Sequence, residues 1–342
     1  PCRDVPRNSA DEGASMTPLG EILAGKIERE GPIPFWQFMS AALYDREHGY
    51  YRRARDPFGK HGDFYTAEQL QPVFGILVAQ RIRQLAHSMG DPEDFTVVEL
   101  GAGRGEMASA FQEWRYIPID LNGGELPRNF RGVVFCNEFF DALPVRALQY
   151  QDGAFREQLV TYKEGAFQWI SGAVVEPCET HYLRRFYPPP EEGRWYEVPM
   201  LDLWMARIGR SLDDGWLLTI DYGYTREESV RFPRGTLMSY RRHIALDDVL
   251  ADPGDRDITA HVNFTAMMEL GEACGLVTER FETLAAMLLT SGEPDQFAAA
   301  LGRGADEAHR RAQLKTLLFG MGETFRVLLQ RRDLNRTAVP EN

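Results

Sequence analysis

The spacing of apolar residues changes near residue 95. Before that point, Leu19, Ile22, Leu23 and Ile27 recur at helical spacing behind Thr17-Pro18, an N-cap followed by proline at the first helical position. Phe35, Phe38, Met39, Ala42 and Leu43 predict a second helix, and residues 73–89 a third that Gly90 ends. Beyond it, short β-branched runs alternate with helical ones. FTVVEL (95–100), RYIPID (115–120), GVVFCNE (132–138) and WLLTIDYG (216–223) read as strands, with a helix over 106–114 behind the first. The tail predicts a helix over 265–274, a strand over 276–281, helices between 294 and 318, and a strand over 324–330. This alternation predicts an α/β fold, a parallel sheet covered on both faces.

Residues 146–176 break the pattern. Asp152-Gly153 and Glu164-Gly165 stand as turns between alternating runs, so the stretch reads as antiparallel hairpins inserted in the core, closed by YPPPEEG (187–193). The expected organisation is a non-native or disordered leader at 1–15, an N-terminal helical extension at 16–94, a core at 95–330 with an insertion at 146–195, and a tail at 331–342. Residues 48–69 form a long aromatic and glycine-rich loop, a kind that is often functional.

Composition removes several classes of function. Of 342 residues, 44% are hydrophobic, ample for a core, and the net charge of -13 opposes sequence-independent binding of nucleic acid. Cys2, Cys136, Cys178 and Cys274 are too scattered for a zinc knuckle or a disulfide framework, which points to a reduced compartment. The seven histidines show no ligand spacing, so no metal is expected, and no G-x-S-x-G elbow is present. No apolar run reaches the roughly 20 residues that span a bilayer. Residues 1–15 carry Asp4, Asp11 and Glu12 and resemble neither a signal peptide nor a transit peptide; a cytoplasmic location is expected.

The chemistry lies in E-L-G-A-G-R-G, residues 99–105, at a strand end. Glycines suit a sharp turn that a ligand must approach closely. A dinucleotide fingerprint needs G-x-G-x-x-G, and Glu106 at the expected helix start would repel a pyrophosphate. S-adenosyl-L-methionine carries no phosphate but does carry ammonium and sulfonium charges. Glu99 suits those charges, and Asp120 at the end of the next strand suits the ribose hydroxyls. S-adenosyl-L-methionine is therefore the expected cofactor, with a dinucleotide as the alternative.

GPIPFWQFMSAALYDREHGYY (31–51), GDFYTAEQLQPVFG (62–75), VELGAGRGE (98–106), NEFFDALPV (137–145), IDYG (220–223) and DITAHVNF (257–264) resemble, in order, the motifs of the MidA-like family. Its members are S-adenosyl-L-methionine-dependent methyltransferases, and the mitochondrial ones act on a protein arginine and support assembly of respiratory complex I. The resemblance implies a Rossmann-like class I methyltransferase sheet with an N-terminal helical extension and an inserted antiparallel hairpin region. It places Gly101, Gly103 and Gly105 with Glu99 along the cofactor, Asp63, Phe64 and Thr66 across the same cleft, and Asn137 and Glu138 where the methyl projects. Three departures stand out: Ala102 and Glu106 in the glycine motif, Asn263 for an aspartate, and a deletion. Only sixteen residues separate Asp120 from Asn137, whereas a strand-helix-strand unit needs about 30. The sheet is thus expected one edge strand short. RYIPID is assigned to the second strand, which keeps Asp120 on the ribose; assignment to the third would remove that role.

Methylation of arginine requires a grip on a guanidinium, and carboxylates supply it in bidentate fashion. Glu138 and Asp141 are the candidates, with a cap or turn as the plainer role for Asp141. His261 either accepts a proton and positions substrate or is a buried structural histidine; Asp221 and Tyr222 either line the cleft or turn the chain. The expected partner is a protein substrate, a complex I subunit by the resemblance. A non-catalytic cofactor-binding assembly factor and a small-molecule methyltransferase are the alternatives, and monomer and dimer both stay open.

Overall fold

The computed structural model describes residues 16–52, 67–121, 123–241 and 244–332, centred on one mixed β-sheet. Its main strands are β1 (Thr96–Leu100), β2 (Arg115–Ile119), β3 (Phe130–Asn137), β4 (Leu212–Tyr224), β5 (Leu276–Thr283) and β6 (Phe325–Arg332). They lie in the order β2-β1-β3-β4-β6-β5. The first four are parallel, with Glu99 level with Pro118 on one side and Phe135 on the other, and β6 is antiparallel to both neighbours. Among the described residues no strand lies beyond β2, as the missing edge strand requires. RYIPID forms the edge strand beside β1, and Asp120 follows it directly.

Both faces of the sheet are covered because its central strands are apolar on both sides. On one, Val97, Val133, Phe135 and Leu218 pack with Phe74, Leu77, Val78 and Ile82 of a helix at Val73–Ser88. On the other, Val98, Val134 and Leu217 pack with Met205 and Ile208 of a helix at Leu201–Ser211 and with Phe264 and Met267 of one at Phe264–Ala273. Each such fully buried side chain contributes roughly 1.5–3 kcal/mol.

Strands Val145–Gln151, Ala154–Lys163 and Ala166–Val174 form the expected hairpins, and Trp195–Pro199 joins them at the edge. The N-terminal helices cover this second sheet. Thr17 caps the helix Pro18–Glu30, its Oγ1 accepting from the N–H of Gly20 at 3.0 Å. Phe35, Phe38 and Met39 of the helix Phe35–Tyr44 pack against Val145, Ala147 and Val160.

Residues 106–114 depart from expectation. They form successive turns, with N–H groups of Ala108, Ala110 and Trp114 donating to Gly105, Met107 and Phe111. Distance explains this. Arg115 is level with Thr96, so the segment must return along all of β1, about 16 Å, whereas nine residues of α-helix advance only about 13 Å. Helices at Leu201–Ser211 and Leu284–Gly292, and a small sheet of Met238–Arg241, Ile244–Leu246 and Asp257–Thr259, were not expected.

Candidate active site

The C-terminal ends of β1, β3 and β4 meet at one edge of the sheet, where an open parallel sheet binds its ligand. The turn after β1 is held from β2: the N–H of Gly101 donates to the carbonyl of Ile119 at 2.9 Å, and the N–H of Gly103 to Oδ2 of Asp120 at 3.0 Å. Gly101, Gly103 and Gly105 have φ of +76°, +52° and +80°, the left-handed region where a Cβ is disfavoured. A Cβ on Gly101 would come 3.0 Å from the ring of Phe139, while one on Gly103 would meet only Oε2 of Glu106, at 3.4 Å. Phe139 is therefore a wall beside the turn, and among the described residues only Glu106 borders the space over Gly103. Oε2 of Glu106 also accepts from the N–H of Arg104, so this acid completes the turn that replaces the expected helix start.

Glu99 is only 1% exposed. Tyr116 donates to its Oε2 at 2.5 Å, and the carboxyl of Glu68 shares a hydrogen bond with it. Burial, opposed by hydrogen bonds with Tyr116 and Glu68 and reinforced by Glu106 and Asp120, raises its pKa to about 7. Its neighbour Glu68 is also buried, and burial together with Glu99, Glu138 and Glu106 pushes its pKa well above the usual carboxylate range. A pair of buried carboxyls beside the glycine turn is an environment that a ligand ammonium would stabilise in its ionised form.

Asn137 ends β3, with Nδ2 on Oε1 of Glu138 at 3.3 Å and a buried Oδ1 that has no partner. Glu138 sits at φ +48°, a strained backbone for a glutamate and a frequent mark of functional sites. Its N–H donates to the carbonyl of Ile220 and its Oε1 accepts from the N–H of Ala67. Burial and then Asp141 raise its pKa to about 8.

Asp141 is 4% exposed and its Oδ1 has no partner. Its pKa is raised to about 6 by burial and restrained by a hydrogen bond from Tyr222. Asp221, fully buried, accepts from the N–H groups of Phe140 and Asp141 through Oδ2, which folds the N-E-F-F-D segment around the end of β4. Asp257 completes the acidic wall, with Tyr51 donating to its Oδ1 at 3.0 Å. Among the described residues, Glu99, Glu138, Asp141 and Asp221 form no ion pair with a Lys, Arg or His. Buried carboxyls with no ion-pairing cation among the described residues ionise most readily by receiving one.

The sequence-predicted residues therefore divide. Glu99, Gly101, Gly103, Gly105, Asp120, Asn137, Glu138 and Asp141 lie along this strand-end edge. Asp63, Phe64 and Thr66 lie outside the described residues. His261 does not join the carboxylates: its ring stands edge-on between Tyr222 (5.1 Å) and Phe232 (5.2 Å), and burial lowers its pKa to about 4. Glu68, Tyr51 and Asp257 escaped the sequence reading. Asp257 opens the DITAHVNF motif and was available there; Glu68 and Tyr51 carry no local signal of burial.

A family model described as "Putative S-adenosyl-L-methionine-dependent methyltransferase" matches residues 111–282. A protein of Burkholderia thailandensis crystallised with S-adenosyl-homocysteine is 28% identical, with a TM-score of 0.81 covering 92% of each chain. The protein arginine methyltransferase NDUFAF7 homolog, mitochondrial, of Drosophila melanogaster is 29% identical over 81% of this chain and 75% of its own. The Xenopus tropicalis NDUFAF7, also named a mitochondrial protein arginine methyltransferase, is 26% identical over 77% and 73%. These names overturn the cytoplasmic expectation. It rested on the acidic, unperiodic residues 1–15, whose composition carries no information on compartment.

Proposed function

Because the chain belongs to the family of S-adenosyl-L-methionine-dependent methyltransferases, we propose that it transfers a methyl group to a guanidinium nitrogen of an arginine in a protein. The observation that carries this reading is the pair Glu138, partly buried, and Asp141, buried, at a strand end with no ion-pairing cation among the described residues. Relatives named protein arginine methyltransferases support it.

The residues present fit the cofactor. Glu99, a buried carboxyl with no ion-pairing cation among the described residues, would hold an ammonium; Asp120 would take ribose hydroxyls; and the backbone at Gly103 would admit the ligand. When bound, S-adenosyl-L-methionine supplies a methyl already activated by its positive sulfur. The protein's remaining task is alignment and exclusion of water, which contribute roughly 7–11 kcal/mol.

Glu138 and Asp141 would accept hydrogen bonds from two guanidinium nitrogens, concentrating positive charge there and leaving the third nitrogen richer in electrons. Asp221 holds the loop that carries them, and Tyr222 steadies Asp141. The nitrogen must lose a proton as it is methylated. Glu138, whose proton affinity is raised to about 8, is placed to take it.

The test is transfer of labelled methyl from S-adenosyl-L-methionine to proteins of a lysate, followed by hydrolysis and separation of methylated amino acids. Label in methylarginine supports the reading. Label only in small molecules, or cofactor binding without transfer, removes it. A respiratory complex I subunit, implied by the family resemblance, is the first individual protein to assay.

A further inference from the structure

Beyond the acid edge lies a second cleft, of about 220 Å³, that the reaction does not use. Tyr222 separates the two: its hydroxyl bonds to Asp141, while its ring faces His261 in the cleft. Tyr222, Phe232 and His261 give it aromatic walls, and Arg231, Arg326 and Glu228 give it charge. Glu228 is already committed, with Oε1 on Arg326 at 3.3 Å and Oε2 on the N–H of Thr225 at 2.9 Å. Arg231 is exposed and has no hydrogen-bonding or ionic partner among the described residues. In a chain of net charge -13, this cleft carries two guanidiniums against one occupied carboxylate.

We propose that this cleft is a specificity subsite for an acidic side chain of the substrate, one that lies within two residues of the methyl-accepting arginine and pairs with Arg231. The inference rests on the arginine reading above and adds to it the neighbouring residue. Residues i and i+2 of an extended peptide lie on one face about 6.6 Å apart, which carries a carboxylate past one aromatic ring while the arginine reaches Glu138. A carboxylate there meets the exposed guanidinium of Arg231 at the rim of the cleft, where a charge-assisted hydrogen bond changes affinity by a few-fold.

The experiment uses protein loaded with S-adenosyl-homocysteine and two acetylated pentapeptides. One carries glutamate two residues before and after a central arginine; the other carries glutamine at those positions. Calorimetry should show the glutamate peptide binding a few-fold more tightly, with the preference lost in Arg231→Glu and largely kept in Arg231→Lys. Equal affinities, or a preference that survives Arg231→Glu, overturn the subsite. Labelled-methyl transfer to the same peptides separates the two claims. Transfer without preference overturns the subsite alone, preference without transfer overturns the arginine reading alone, and absence of both overturns both.

Discussion

Oδ2 of Asp120 accepts a hydrogen bond from the backbone N–H of Gly103 at 3.0 Å, joining the end of one strand to the middle of the glycine turn on the next. Oδ1 of the same carboxylate takes the N–H of Leu121. One side chain thus shapes the turn, and in the proposed reading it also takes the ribose hydroxyls. Asp120→Ala should weaken S-adenosyl-homocysteine about tenfold or more, the cost of losing charged hydrogen bonds. Asp120→Asn, which keeps one acceptor, should weaken it less. Calorimetry on both variants checks the order.

Gly103 has φ +52°, and a β-branched residue there bears about 1–2 kcal/mol of strain before any contact with ligand. Gly103→Val should fold, by circular dichroism, yet show no measurable binding of S-adenosyl-homocysteine, because its side chain fills the space over the turn. Unchanged affinity would remove the turn from the cofactor site.

Glu138 holds a left-handed backbone that glycine adopts without cost. Glu138→Gly should therefore raise stability by about 1 kcal/mol, read as a melting temperature roughly one or two degrees higher, while methyl transfer is lost. Glu138→Gln should bind cofactor near normally and also fail in transfer. A Glu138→Gln protein with full activity would take this residue out of the clamp.

How much of this was readable beforehand varies with the kind of signal. The central strands announce themselves because residues buried on both faces come as unbroken runs such as Thr96–Leu100. The hairpins do so through their turns: Asp152 and Gly153 have φ of +51° and +77°, and Glu164 and Gly165 +53° and +80°, the geometry that D-G and E-G favour. Residues 106–114 have helical composition, yet the return distance along β1 overrides it. The acid cluster was half legible. Glu138 and Asp141 stand in one motif, whereas Glu68 and Asp257 stand in two others that only tertiary packing brings to the same edge, and no sequence feature marks the φ of Glu138.

The acidic edge predicts a pH response of definite sign. Burial raises Glu138 to about 8, Glu99 to about 7 and Asp141 to about 6, against ordinary values near 4. Between about pH 4.5 and 8 the folded chain keeps protons that the unfolded chain has released, so this contribution to stability is complete below that window and is lost as pH rises through it. The ligand-free protein should melt at progressively lower temperature from pH 5 to 8.5, and a guanidinium ligand should bind more tightly over the same range, with release of protons. Scanning fluorimetry and calorimetry in buffers of different ionisation enthalpy read both. Melting that is flat with pH, or binding that weakens as pH rises, would contradict the electrostatics of the site.

The most direct measurement is a crystal structure of the protein with S-adenosyl-homocysteine and an arginine-containing peptide. The sulfur should lie over the turn at 101–105, with guanidinium nitrogens within hydrogen-bond distance of Glu138 and Asp141. A guanidinium held elsewhere, or those two carboxylates paired to the protein's own cations with the peptide bound, would contradict the proposed grip on arginine.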